Sequence, residues 1–298
     1  MISPASRATN CLSTKTILMK AKQYILVFLT AVNFPFLVIA QKEEKTSDQK
    51  DGLSAMVSYQ SALHYFGRTD SLKSSGIFPT LSLQSKTGLY AQGSFIFVNN
   101  ANQSNEYSGS TLEAGYRFPQ TTHFSGNLFY SQFLYKDKST LVQSALRAQT
   151  GINLTYLNKL VNINTGVDLK FSDQTDLGVT IGLDHLFLIH KEGSGNAIGI
   201  NPSIYAYGGT QKFSNTYLEK KNVLGIPVTQ QTTEKYTQLN MLSYEISVPV
   251  VFVFGKCNAS LIPAYTLPQN LVSVAGRPDL SEYGRNLFYL SVSLGIQL

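Results

Sequence analysis

Phe288-Tyr289-Leu290-Ser291-Val292-Ser293-Leu294-Gly295-Ile296-Gln297-Leu298 alternates without a break. Phe288, Leu290, Val292, Leu294, Ile296 and Leu298 fall on one side; Tyr289, Ser291, Ser293, Gly295 and Gln297 fall on the other. Successive side chains of an extended chain point to opposite faces, so a period of two predicts a β-strand with one apolar face. A strand tilted through a bilayer needs about 9–11 residues, and this stretch has that length.

The same pattern recurs upstream. It runs through Leu53, Ala55, Val57, Tyr59, Leu63 and Tyr65, then Ile77 to Leu83, Leu89 to Phe97, Leu112 to Phe118 and Phe124 to Leu134. The sixth segment sets Leu146, Ala148, Thr150, Ile152, Leu154 and Tyr156 against Arg147, Gln149, Gly151, Asn153 and Thr155. The seventh sets Val161, Ile163, Val167, Leu169 and Phe171 against Asn162, Asn164, Gly166, Asp168 and Lys170. Leu177 to Phe187, Ile198 to Ala206, Leu242 to Phe254 and Ala259 to Leu267 follow, and the tail is the twelfth. Pro79, Pro202, Pro249 and Pro263 lie inside these segments, where each removes a ladder donor.

Charges in the segments sit on the polar side: Glu113, Arg117, Arg147, Asp168, Lys170, Asp176, Asp184 and Glu245. An Arg or Lys at mid-membrane on the lipid face costs about 2–4 kcal/mol, so this sorting fits an apolar solvent outside and a polar lumen inside. An open sheet edge in lipid would leave backbone groups unpaired, so the strands must close. The expectation is an all-β transmembrane antiparallel up-and-down β-barrel of about 12 strands over residues 53–298. Connection lengths agree. Those near Lys86–Gly88, Pro119–Thr122, Asn158–Lys159, Lys191–Asn196 and Gly255–Cys257 are short, as periplasmic turns are. Asn99–Glu106, Gly209–Asn240 and Pro268–Asn286 are long, as external loops are.

The C-terminal third, with Tyr244 to Phe254, Ala259 to Leu267 and Phe288 to Leu298, resembles uncharacterised Gram-negative outer-membrane β-barrel proteins. The resemblance implies an outer-membrane location, contact with outer-membrane lipid, and a closing strand read by the outer-membrane assembly machinery. Such barrels usually end on an aromatic residue, whereas this chain ends on Leu298.

The N-terminus reads as a targeting signal. Lys20 and Lys22 precede an apolar run from Tyr24 to Ile39, and Val38-Ile39-Ala40 places a cut before Gln41. Residues 19–40 are then a signal peptide, 1–18 a gene-model extension ahead of Met19, and 41–52 a periplasmic tail. The formal charge of the whole chain is +6, from 24 bases and 18 acids. Residues 1–40 hold Arg7, Lys15, Lys20 and Lys22 and no acid, so 20 bases against 18 acids remain, a net +2. The basic character belongs to the signal, and no nucleic-acid partner is expected. Cys257 is left alone in the mature chain, without a disulfide or a cysteine metal site.

None of the four histidines has a metal-ligand spacing with another histidine or a cysteine, and no cofactor is expected. His123-Phe124-Ser125-Gly126-Asn127 resembles the His-x-Ser-Asn-Gly stretch of outer-membrane phospholipase, a twelve-stranded lipid hydrolase, with Gly and Asn exchanged. Strand alternation puts His123 and Ser125 on one face, as a base and nucleophile need, but on the inner face, away from lipid. The reading is therefore not an enzyme, with an outer-membrane phospholipase-like lipid hydrolase kept as the remote alternative to the two expectations that follow.

Two functional expectations remain. One is a porin-like barrel giving passive or semi-selective passage of small solutes, or binding at the surface through long loops. The other is a structural or adhesive barrel with a filled lumen. The lumen charges carry a further expectation from register. A two-residue hairpin at Asn158-Lys159 pairs Leu157 with Leu160, setting Gln149 opposite Asp168 and Arg147 opposite Lys170. Arg147, Asp168, Lys170 and Asp176 would then form one network.

Overall fold

The computed structural model describes residues 51–136, 141, 145–190, 196–212, 238–271 and 281–298. The expected extension and signal peptide lie outside the described residues, as does the expected tail up to residue 50. Fifteen strand segments make up the described fold: β1 Gly52–Gln60, β2 Ser75–Gln84, β3 Leu89–Asn100, β4 Gln103–Arg117, β5 Phe124–Tyr135, β6 Ala148–Tyr156, β7 Asn162–Phe171, β8 Thr175–Asp184, β9 Phe187–His190, β10 Asn196–Ile200, β11 Ser203–Gly209, β12 Asn240–Ser247, β13 Val250–Phe254, β14 Cys257–Pro268 and β15 Leu287–Gln297.

The segments form twelve staves. β8 and β9 are one stave interrupted at His185-Leu186, β10 and β11 one interrupted at Asn201-Pro202, and β12 and β13 one interrupted at Val248-Pro249. Proline supplies no ladder donor, which accounts for two of the breaks. The breaks lie side by side and are bridged by backbone bonds: His185 N to Pro202 O (3.2 Å), Asn201 N to Pro249 O (2.9 Å) and Val248 N to Pro263 O (3.1 Å). Pro79 and Pro263 stay within β2 and β14. Every pairing is antiparallel between neighbouring staves, β12 and β13 both pairing with β14, and β1 with β15, from Ser54–Gln297 to Gln60–Ser291, closes the ring.

The two faces differ as the alternation demands. Leu81, Leu83, Leu89, Phe95, Leu112, Leu128, Ile181 and Leu294 are each at least half exposed on the outside. Ser58, Thr80, Ser94, Thr111, Ser131, Ser260, Ser291 and Ser293 are buried inside. So much exposed apolar surface on a closed sheet requires lipid around it. The protein is an outer-membrane β-barrel. The end carrying both β1's start and β15's finish has the short turns and faces the periplasm. Gly88 (φ 97°) and Gly255 (φ 62°) occupy left-handed positions in two of those turns, which a side chain would strain.

Several local expectations need correcting. β3 runs on to Asn100 and β4 starts at Gln103, so only Ala101-Asn102 joins them where a loop from Asn99 to Glu106 was expected. β6 and β7 keep the expected faces, but the register is shifted by two. Gln149 faces Lys170, Gly151 faces Asp168, and Tyr156 faces Ile163. The turn is wider than two residues because Asn162 Oδ1 accepts from Asn158 N (3.2 Å) and Asn158 Oδ1 accepts from Leu160 N (3.0 Å). Strand β6 starts only at Ala148, so alternation does not govern Leu146, which turns inward and is buried. Leu242 also turns inward, at a register shift where β11 passes from Tyr207 to Gly208.

The largest departure concerns the first strand. It ends at Gln60, and Leu63 and Tyr65 do not continue its lipid face. Residues 61–74 fold into the external half of the lumen. Ser61 ties the bend to β15, donating its N–H to Leu290 O (2.9 Å) and accepting Leu290 N–H at Oγ (2.9 Å).

Candidate functional site

The site is the lumen beneath this inward-folded lid. The lid's tip is a tight turn in which Tyr65 and Arg68 exchange backbone hydrogen bonds of 2.8 and 3.0 Å. Phe66 (φ 54°) and Gly67 (φ 75°) both sit at positive φ, as a hairpin turn matching strand twist requires. A bulky residue there costs of order 1–3 kcal/mol, so Phe66 is held by its surroundings. A Cβ at Gly67 would lie 2.9 Å from Pro268, so glycine is needed for space as well. Asp70 Oδ1 accepts from Leu72 N (2.8 Å) and Ser74 N (3.3 Å), closing the lid's return.

Apolar packing seats the lid. Leu63 packs with Ile96, Val98 and Leu141, flanked by Phe78 and Tyr135. Phe66 reaches Leu146 on one side and Tyr205, Tyr207 and Leu242 on the other. Arg68, 1% exposed, ties the lid to the other external connections. Its Nε donates to Glu282 Oε1 (3.0 Å), and its Nη1 and Nη2 donate to Phe66 O, Leu242 O, Gln211 Oε1 and Gln269 O. Thr69 N also donates to Tyr283 O (2.9 Å).

Beneath the lid lies a cavity of about 290 Å³. Glu113, Arg117, Asp168, Lys170 and Glu245, all expected to line the lumen, lie on its wall. Lys170 pairs with Asp168, and its Nζ stands 5.6 Å from the centre of the Phe66 ring. Gly178 leaves the room for this pair, since a Cβ there would meet both side chains. Glu113 accepts from Tyr90 OH (3.0 Å) and Ser131 Oγ (2.7 Å), while Arg117 lies 4.8 Å from the Tyr90 ring centre. Glu245 Oε2 accepts from Thr266 Oγ1 (2.9 Å) and Tyr289 OH (3.0 Å).

The other three charges stand apart from the cavity. Asp176 is buried and accepts from Thr210 Oγ1 and from Lys212 N (2.8 Å). Asp184 is buried and accepts from Asn162 Nδ2 (3.1 Å) and Asn164 Nδ2. Arg147 is exposed and pairs with Asp173, not with Asp168. The four-membered network therefore does not form: Lys170 takes Asp168, and Arg147, lying beyond the start of β6, escapes the strand's inward parity.

His123 and Ser125 do not meet either. His123 precedes β5, so strand alternation does not fix it, and its ring stacks 6.1 Å from Tyr156 on the outside. Ser125 is buried and faces inward. Among the described residues no three of His, Cys, Asp and Glu come together to hold a metal ion.

The reading of sequence missed His64, Phe66, Arg68, Tyr90 and Tyr207. The one available signal was Ser61, a polar residue where the apolar alternation of β1 should have continued. His64 Nδ1 accepts from Gly67 N (3.2 Å), and its ring lies 4.4 Å from that of Tyr289. Burial of this lid residue lowers its pKa from 6.5 to about 4.

Fold and site together define an outer-membrane β-barrel with a lidded lumen. No family model matches the chain, and no curated protein matches it. Among solved structures it is similar to the KdgM porin, at 8% identity over 82% of this chain and 99% of that one, with a TM-score of 0.44. It is similar also to the NanC porin, at 11% identity over 83% and 100%, TM-score 0.44. A third is LpxR from Salmonella typhimurium, at 13% identity over 82% and 99%, TM-score 0.44. The class rests on this barrel's own closure and faces.

Proposed function

We propose that the protein is a lid-gated channel for small solutes. The observation that carries this reading is the cavity kept open beneath a lid whose seat is non-covalent. A purely structural barrel has no need of such a space. The lid is held by the Arg68 node and two apolar patches, and its tip carries backbone strain at Phe66, so it is built to be displaced.

The second reading is a filled structural barrel. It is favoured by the close packing of Leu63 and Phe66 against the wall. Planar-bilayer recording separates the two. The channel reading expects rare steps from the wild-type protein, and frequent steps when residues 62–73 are replaced by a short glycine-serine bridge. A lidless barrel that folds, by heat-modifiable gel mobility, and never conducts supports the filled barrel instead.

A further inference from the structure

We propose that the cavity beneath the lid binds one small, neutral, polyhydroxylated ring, a solute of monosaccharide size. This names the solute class for the channel reading above and rests on it.

The charged groups of the cavity already have partners in the wall. Lys170 holds Asp168, Arg117 lies over the Tyr90 ring, Tyr90 and Ser131 donate to Glu113, and Thr266 and Tyr289 donate to Glu245. An anionic solute that took Lys170 would break its pair with Asp168 and leave that carboxylate uncompensated.

The cavity atoms that lack a partner are neutral. Tyr207 OH and Ser243 Oγ are two of them, on residues that face each other across β11 and β12. Asn127 Oδ1 and Asn153 Nδ2 are another two, on residues that face each other across β5 and β6. His64 Nε2 is the fifth, and all five residues line the cavity. Tyr207, Ser243 and Asn127 are each more than nine-tenths buried. A buried polar atom without a partner costs about 1–3 kcal/mol, so five of them around one cavity call for an occupant that hydrogen-bonds.

The orphaned groups mix donors with acceptors. Because His64 Nδ1 accepts from Gly67, the neutral imidazole carries its proton on Nε2 and donates there. Asn127 Oδ1 accepts, Asn153 Nδ2 donates, and the two hydroxyls do either. Solute hydroxyls both give and take hydrogen bonds, so a polyol meets all five. The same cavity carries the rings of Phe66, Phe129 and Phe133, which offer flat apolar surface to the C–H faces of a saturated ring. Small-molecule pockets run about 300–1,000 Å³. This cavity falls just below that range, enough for one ring and not for an oligomer.

The test is calorimetric titration of the detergent-purified wild-type full chain, its lid in place, with D-glucose and D-galactose. Glucuronate and choline are charged comparators of similar or smaller size. At least one hexose is expected to bind in the millimolar range or tighter, with both comparators at least tenfold weaker. Tyr207→Phe, Ser243→Ala and Asn153→Ala should each weaken hexose binding by about three- to tenfold, as loss of one hydrogen bond does. Three variants on two walls keep the result readable if one misfolds.

Absence of hexose binding overturns the site, as does equal or tighter binding of a comparator. Hexose affinity indifferent to all three variants also overturns it. Conductance by the lidless barrel together with no hexose binding by the full chain refutes the site and leaves the channel. Hexose binding by a barrel that never conducts refutes the channel and leaves the site.

Discussion

Arg68 and Glu282 stand 214 positions apart in the chain and 3.0 Å apart in the fold, with side chains 1% and 4% exposed. Removing one partner of a buried pair leaves the other charge uncompensated, at a cost of about 3–5 kcal/mol. Arg68→Ala should therefore undock the lid while the staves persist. Hydrogen exchange should speed up at the amides of Leu63, Tyr65 and Arg68 and stay unchanged along β1 and β2. Arg68→Lys should fail to restore protection, because three donors on a point charge cannot reproduce a five-donor fork. Unchanged exchange in Arg68→Ala would remove the clamp.

His64 gives the lid a pH dependence. Docked, its imidazole titrates near 4; undocked, it returns to about 6.5. Between those values the undocked lid binds more protons. Docking is fully supported above pH 6.5, weakens as the pH falls, and has lost up to about 3 kcal/mol once the pH is below 4. Channel openings in bilayers should rise from pH 7 to pH 4.5. His64→Gln, neutral throughout, should flatten the profile, and an unchanged profile would refute this role.

Gly182 makes room for Tyr205, its cross-strand neighbour. A Cβ at Gly182 would lie 2.1 Å from two atoms of that ring, which stands stacked 6.1 Å from Tyr207. Gly182→Ala should cost about 1–3 kcal/mol, read as a lower temperature for the heat-modifiable gel shift. Gly208→Ala is the control, since the nearest atom to its Cβ lies at 3.6 Å. Equal shifts for the two would count against the packing described.

Arg147 and Asp168 should behave independently. Arg147 pairs with Asp173 at an exposed rim, where an ion pair contributes about 0–1 kcal/mol. Asp168→Ala leaves Lys170 buried without its partner and should be the costlier change. The double substitution should lower stability by the sum of the two. A coupling above about 0.5 kcal/mol would bring the two residues back into one network.

The barrel was legible because lipid outside and water inside enforce alternation residue by residue. The run from Phe288 to Leu298 needed no partner to declare its faces. Register was less legible, because it hangs on turn geometry: side-chain bonds at Asn158 and Asn162 widened one turn and shifted β6 against β7 by two. Alternation also misleads where a strand stops. Leu63 and Tyr65 keep the odd-numbered parity of Leu53 and Val57 yet lie inside, and Arg147 keeps an inward parity yet is exposed at the rim. Nor does sequence reveal which polar groups lack partners. Asn127, Asn153, Tyr207 and Ser243 are ordinary inward residues until the lid is in place above them.

The lid is a single excursion between two staves that pair along their whole length, Gly52–Gln60 against Gly76–Gln84. Its sequence can change without moving a strand. One recombined segment between Gln60 and Ser75 would give the same barrel a different stopper, and under the channel reading proposed above a different selectivity, exchangeable as a cassette.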